Sequence, residues 1–273
     1  MILTTPDGHL YYELRGAGPL VVLLGAPMDA DAFAPLADLL AEDHTVLTTD
    51  PRGINRSRLA DPDRDSTPEQ RAGDLARLIE HVDAGPAAVL ASSGGAVSTL
   101  ACAQAFPERL HTVVAHEPPL LEFLPTEQDR ARAREATEDM ITTYLAGDVR
   151  GGWVKFLANA GIQLPAEVVD QLLPATPQAR ADDRYQYEHM IRPTTYWKPD
   201  LAALAGGPEI VIGIGEESGG QFCERTSNGL AAALDRRPAK FPGGHVGFVE
   251  DPPAFAERLR EVLRDRASVG DRR

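Results

Sequence analysis

Ten residues constrain this chain more than any others: Ala87-Ala88-Val89-Leu90-Ala91-Ser92-Ser93-Gly94-Gly95-Ala96. A continuous apolar run of the buried-strand type passes through small residues directly into a helical pattern. Such a turn is sharp. It strains the backbone of the residue at its tip and exposes that side chain at the end of a sheet. Ser93 has small residues two before and two after it, Ala91 and Gly95. The flanks of Ser92 are Leu90 and Gly94, a poorer fit. A serine at the tip can meet a base on one side and backbone N–H donors on the other, the arrangement of an activated nucleophile. The competing reading is a Gly/Ser helix start without chemistry.

Around this turn the chain alternates between strand and helix patterns. Ile2–Thr5 and Leu10–Arg15 flank the turn Pro6-Asp7-Gly8, as in a hairpin. Leu20–Leu24 reads as a strand buried on both faces, Asp31–Leu40 as a helix and Thr45–Thr48 as a strand. Thr67-Pro68-Glu69-Gln70 carries the helix-start signature of a cap, a first-turn proline and a capping-box glutamine. Ala87–Ala91, Thr112–Ala115, Glu209–Ile214 and Arg237–Phe241 read as further strands; Ala96–Ala105, Gly229–Leu234 and Pro253–Leu263 read as helices. This alternation predicts a parallel sheet covered on both faces. From Pro118 to Gly207 the pattern turns helical and irregular, which reads as an insertion at the carboxyl edge of the sheet, where ligands bind in such folds.

Charge and composition narrow the partners. With 27 Lys+Arg against 41 Asp+Glu, the net charge of −14 repels nucleic acid and anionic membrane surfaces. The longest aliphatic run, Leu20–Leu24, is far short of the roughly 20 apolar residues of a membrane span. The N-terminus lacks a basic stretch followed by an apolar core, and Cys102 and Cys223 are too few for a disulfide framework, so a cytoplasmic setting is expected. Cys102, in a run of small residues, reads as packing. Arginine dominates the cations, lysine occurring only at 155, 198 and 240, and alanine is abundant, a composition suggestive of a GC-rich bacterium.

Four segments in this order make the chain resemble the α/β-hydrolase fold family over nearly its whole length, in its serine-hydrolase, actinobacterial-like form. They are Leu23-Leu24-Gly25-Ala26-Pro27, Asp50-Pro51-Arg52-Gly53-Ile54-Asn55-Arg56-Ser57, the turn at Ser93, and Gly243-Gly244-His245-Val246-Gly247-Phe248. Asn55 stands where glycine is common in the family; asparagine tolerates a left-handed backbone. The resemblance implies an α/β fold: a mostly parallel eight-stranded sheet with helices on both faces, a core of residues 1–117 and 208–273, and a helical cap, 118–207, inserted after the sixth strand. It makes His245 the catalytic base among the seven histidines; His116 is the next candidate but, beside two prolines, reads as a supporting residue. The resemblance also makes the backbone N–H groups of Ala26 and Gly94 the oxyanion donors.

The acid departs from the usual pattern. The family's aspartate would fall three residues past Gly215, where this chain has Ser218. Glu117, just past the sixth strand and braced by Pro118 and Pro119, is the first candidate; Glu217, beside Glu216, is the alternative. Met28 and Phe33 are placed to line the substrate pocket or, equally, to pack in the core; Trp153, Tyr196 and Trp197 of the cap are offered as pocket residues, with fastening the cap to the core as the other role of each. His116-Glu117-Pro118-Pro119-Leu120 lacks the second histidine of a zinc-protease helix. Gly213-Ile214-Gly215-Glu216-Glu217-Ser218 lacks the third glycine of a dinucleotide loop. No metal and no cofactor are therefore expected. The function implied is a cofactor-independent serine hydrolase that forms an acyl-enzyme from an ester, lactone or thioester of a small apolar acyl substrate. The alternatives are a specialised-metabolite cyclase or lactonase on the same fold, or a non-catalytic ligand-binding protein. The cap, with few core signals, is expected to be more mobile than the sheet.

Overall fold

A computed structural model describes residues 1–270. Its strands are β1 (Ile2–Thr5), β2 (Gly8–Arg15), β3 (Leu20–Leu24), β4 (Thr45–Thr49), β5 (Arg58–Leu59), β6 (Ala87–Ser92), β7 (Leu110–His116), β8 (Glu209–Gly215) and β9 (Ala239–Phe241). They form one nine-stranded sheet in the order β1-β2-β4-β3-β6-β7-β8-β9, with β5 beside β2. Pairing is antiparallel at the β1–β2, β2–β4 and β2–β5 contacts and parallel from β4 through β9. The ninth strand is the departure from the eight expected. β5 is two residues long, pairs only with Gly8 and His9, and has no alternating pattern to announce it.

The helices before the insertion are α1 (Ala34–Leu40), α2 (Pro68–Val82) and α3 (Gly94–Ala105). Alternation along the central strands divides the core between the two faces of the sheet. Leu20, Val22 and Leu24 of β3 point to one face with Val89 and Ala91 of β6, where α2 and α3 pack. Val21, Leu23, Ala88 and Leu90 point to the other, against α1. All five residues of β3 are buried, as a parallel strand with both faces covered requires. The α2 start is a complete capping box, Thr67 accepting from the Gln70 N–H and Gln70 returning the bond to the Thr67 N–H.

Between β7 and β8 the chain is helical: α4 (Glu127–Leu145), α5 (Val149–Ala160), α6 (Ala166–Leu172), α7 (Pro177–Tyr185), a single π-helical turn at Gln186–Met190, α8 (Ile191–Thr195) and α9 (Leu201–Gly206). α10 (Phe222–Ala233), α11 (Gly247–Glu250) and α12 (Pro252–Gly270) complete the molecule. Among the described residues no helix is long and apolar enough to cross a membrane. The order of the strands places the site. From β3 the chain goes to β4 on one side, then returns to β6 on the other, so the loops leaving β3 and β6 open a crevice at the carboxyl edge.

Candidate active site

Ser93 stands at that crevice. Its backbone is strained, φ 57° and ψ −125°, a left-handed conformation that non-glycine residues rarely adopt. Hydrogen bonding fixes it there: the Ser93 N–H donates to the His116 carbonyl on β7 (2.9 Å), and the Ser93 carbonyl accepts from Ala96 N–H (3.0 Å). The turn is possible only with glycine beside it. A Cβ on Gly94 would lie 2.5 Å from the Ala26 carbonyl oxygen, and one on Gly95 would lie 2.5 Å from that of Leu24. The Ser93 side chain makes no capping bond to α3 and lines a cavity of about 470 Å³. Ser92 instead points into the protein and is 1% exposed. As the first residue of α3, Gly94 has an N–H without an intrahelical acceptor, and the Ala26 loop packs directly against it.

His245 reaches the same cavity from the turn between β9 and α11. Its Nδ1 lies 2.6 Å from Oε2 of Glu117, and the fully buried carboxylate uses its other oxygen, Oε1, to accept the Gly215 N–H at 2.9 Å. Glu117 has a positive φ of 52° at the end of β7, and its N–H donates to the Gly213 carbonyl (3.0 Å), so both backbone and side chain are tied to β8. Burial works against its charge. The bond from His245 and the positive potential of His116 and His245 outweigh burial and hold the carboxyl at about 2, so it stays ionised. With Nδ1 committed to the carboxylate, Nε2 is the ring nitrogen left for a proton acceptor's work.

Glu217, the alternative, is exposed; its N–H bonds to the Gly243 carbonyl and its neighbour's to Phe241, so this loop braces the histidine turn through main chain. Ser218, at the position where an aspartate was looked for, is completely buried and contributes to holding the Glu117 carboxyl low. His116 supports the site from outside the cavity. Its ring lies edge-on to Phe241 and Phe255 on the face away from the cavity, and only its carbonyl touches the Ser93 turn.

The five residues expected to line the pocket stand elsewhere. Met28 packs on the α1-side core, and Phe33 is fully buried and stacked on Phe248 (4.6 Å between ring centres) beneath Gly25. Trp153 donates its indole N–H to the buried Asp183 (3.0 Å). The Tyr196 hydroxyl bonds to Glu138 (2.8 Å) with Arg134 over its ring. Trp197 packs on the α2/α3 core and donates to Glu69 (2.8 Å). Each aromatic follows its polar handle or the nearest apolar core, and neither leads to the cavity. The wall is built from one aromatic of the insertion, Phe156 of α5, and from residues that carried no signal: Thr137 and Met140 of α4, Gln186 and Met190 of the π turn, and Phe222 of α10.

The segment Asp50–Ser57 proves to be scaffolding for the rim. Buried Asp50 accepts the Ala30 N–H (2.9 Å) and holds the Arg56 guanidinium, and Arg52 forms a two-bond pair with Asp74 (2.7 and 2.8 Å). Asn55 adopts φ 48°, and its amide donates to Asp29. Cys102 is buried in the core, which pushes its thiol up to about 12.

The model of the alpha/beta hydrolase family matches residues 20–258. The uncharacterized hydrolase YraK of Bacillus subtilis is 30% identical over 267 residues, spanning 96% of this chain and 94% of its own. A zearalenone hydrolase of Cladophialophora bantiana is 33% identical, with 96% of each chain covered. Among solved structures, a hydrolase from Pseudomonas aeruginosa superposes with a TM-score of 0.70 at 20% identity, covering 96% of this chain and 97% of that one. A match over most of the length, on a sheet whose order puts a strained serine at its switch point, leaves no other assignment: the chain belongs to the alpha/beta hydrolase family and is a hydrolase.

Proposed function

We propose that the chain cleaves a carboxylic ester or lactone, with thioesters as a chemical variant, through Ser93, His245 and Glu117 and a covalent acyl-enzyme, without a cofactor. The observation that carries this reading is the 2.6 Å contact of His245 Nδ1 with Glu117 at the edge of a cavity that Ser93 and His245 share. Ser93 Oγ attacks the substrate carbonyl while its proton passes to His245 Nε2. The carbonyl oxygen becomes an oxyanion, met by the N–H groups of Gly94 and Ala26. Collapse breaks the bond to the leaving oxygen or sulfur, which takes the proton back from His245. Water then gives a proton to His245 and attacks the acyl carbon; the bond to Ser93 Oγ breaks, Oγ takes that proton from His245, and the acid leaves with Ser93 and His245 restored. Glu117, ionised throughout, orients the ring and stabilises its cationic form.

Residues 118–207 act as a cap over a core of 1–117 and 208–273, and their mostly apolar wall selects the substrate. The similarity to a zearalenone hydrolase makes zearalenone a first compound to test. A fluorophosphonate probe is expected to label Ser93, and Ser93→Ala to abolish both labelling and turnover of short acyl esters. A folded protein that binds ligand but is neither labelled nor active would be a binding protein on this fold, and the reading would fall.

A further inference from the structure

The cavity wall opposite Ser93 is apolar with a small number of polar side chains, and most of these are already engaged. Thr137 donates to the Ala133 carbonyl (2.8 Å), Thr194 accepts from Arg71 (2.7 Å), and the Asn159 amide donates to the Ala136 carbonyl (3.0 Å). Gln186, Thr195, Gln221 and Arg132 make no such bond among the described residues, and of these Gln186 stands on the π turn. Its residue is 8% exposed and lines the cavity, yet among the described residues its carboxamide has no hydrogen-bond partner. Its amide atoms are not sealed inside the protein, so the bond they lack is one that a ligand in the cavity can make.

The backbone explains how it came to face inward. Gln186 opens the π turn, and its carbonyl accepts the N–H of Ile191, five residues on. In an α-helix, residues 186 and 190 share a face and 191 turns away. The wider turn brings Gln186, Met190 and Ile191 all onto the cavity wall. Single π turns recur at functional sites. Met190 packs with Ala26, which places this turn over the loop that carries one of the oxyanion donors.

We propose that Gln186 is a specificity-determining residue, and that the substrate is an ester or lactone bearing a hydroxyl or carbonyl oxygen remote from the scissile bond, which the free carboxamide recognises. The inference rests on the hydrolase reading above and narrows it: the substrate is not a plain hydrocarbon acyl compound. A carboxamide both donates and accepts, so a hydroxyl or a carbonyl can satisfy it. A site built to bond such an oxygen rejects the analogue that lacks it, because the amide is then left unpaired beneath the ligand.

The test uses para-nitrophenyl esters of ω-hydroxyalkanoic acids of increasing chain length, each paired with the isostere in which methyl replaces hydroxyl. Wild-type enzyme is expected to prefer the hydroxylated ester at one or more lengths by about 10-fold in kcat/KM. Gln186→Met, of similar volume and good helix propensity, is expected to erase that preference, so that the hydroxylated and methyl esters of each length are hydrolysed with equal kcat/KM. Gln186→Asn, which keeps the amide on a shorter stem, retains part of the preference and guards against a folding effect in the first variant. Absence of a preference at every length, or an equal preference in wild type and Gln186→Met, overturns the proposal while leaving the Ser93 chemistry standing. Failure of the wild type to hydrolyse either series, with no labelling of Ser93, removes the hydrolase reading and the inference with it.

Discussion

The carboxyl edge of the sheet and the helices above it are held by different forces. Ser93, Glu117 and the His245 turn are positioned by main-chain bonds between neighbouring strands: Ser93 to His116, Glu117 to Gly213, and the 216–217 loop to Phe241 and Gly243. The insertion is joined to that edge largely by side chains. Trp197 reaches Glu69, Tyr185 reaches the Arg64 carbonyl, and Arg71 reaches Thr194. Backbone pairing is indifferent to side-chain identity, so an edge built this way keeps its geometry while the helices above it change residues. The Ser93, His245 and Glu117 geometry is set by the first kind of contact and the shape of the cavity by the second.

The strongest way to break this contrast is at the carboxylate. Glu117→Gln keeps the volume and the bond from Gly215 but removes the charge that orients His245 and supports its protonated form. The turnover number is expected to fall roughly 10⁴-fold, as when a triad aspartate becomes an amide, with little change in KM. Glu217→Gln is expected to leave most activity, because that side chain is exposed and its loop acts through its backbone. Steady-state kinetics on one ester with both variants decides it; the opposite ranking would remove Glu117 from the mechanism.

What could be read from the sequence follows the same division. The Ser93 turn, the glycines beside it and Asn55 were legible because a positive φ or a close backbone approach admits few residue types, and those types stand in the sequence. Glu117 was legible as a candidate because Ser218 occupies the usual place of the acid and cannot serve. The cavity wall was not legible. Trp153, Tyr196 and Trp197 are large and aromatic, but an indole or phenol turns toward whichever partner takes its polar atom, and Asp183, Glu138 and Glu69 lie far away in sequence. Nor does any local pattern announce the extra residue of a π turn at 186–190, or a two-residue strand at 58–59.

A second test acts on the join between the two regions. Arg71 is buried and, among the described residues, bonds to no carboxylate: its guanidinium donates to the Ser98 hydroxyl (2.7 Å), to the Ser66 carbonyl and hydroxyl, and to Thr194 (2.7 Å) on the cavity wall. Burial pulls its pKa down to about 10, still far above neutrality, so the cation persists. Arg71→Met relieves the desolvation of the charge but leaves Ser66 and Thr194 without their donor. The net loss is expected to be about 2–3 kcal/mol in a urea unfolding curve, with KM raised because Thr194 is released. Unchanged stability and KM would show that main-chain contacts suffice to seat α8.

A third test lies under the sheet edge. His116 is buried among Phe241 and Phe255 with neither ring nitrogen bonded among the described residues. Burial, with a smaller push from His245 and against the pull of Glu117, lowers its pKa from 6.5 to about 4. The unfolded chain therefore takes up this proton at a higher pH than the folded one, and stability is lost as pH falls from about 6.5 to about 4, on the order of 3 kcal/mol. Glu117, held at about 2, adds stability that is present above its unfolded value of 4.5 and is lost below it, as pH falls toward 2. Acid unfolding should thus proceed in two ranges, and His116→Phe should remove the upper one. Urea midpoints measured across pH check this; an unaltered slope between pH 6.5 and 4 in the variant would falsify it.

The smallest effects should separate aromatics that shape the cavity from aromatics that fasten the helices. Phe156 lines the cavity, leaning on Trp153 at 5.7 Å between ring centres, while Tyr196 and Trp197 face away from it. Removing the Phe156 ring takes apolar surface from the ligand without touching Ser93, His245 or Glu117. Phe156→Ala is therefore expected to raise KM roughly 10-fold for an extended apolar ester, and by much less for an acetate, with kcat preserved. Tyr196→Phe and Trp197→Phe each delete one half-exposed hydrogen bond to a carboxylate. They are expected to leave kcat/KM within about twofold of wild type and to cost about 0.5–1 kcal/mol of stability. A KM effect in Tyr196→Phe or Trp197→Phe as large as that in Phe156→Ala would mean that the fastening residues also set the shape of the cavity, and the division between the two regions would fail at that point.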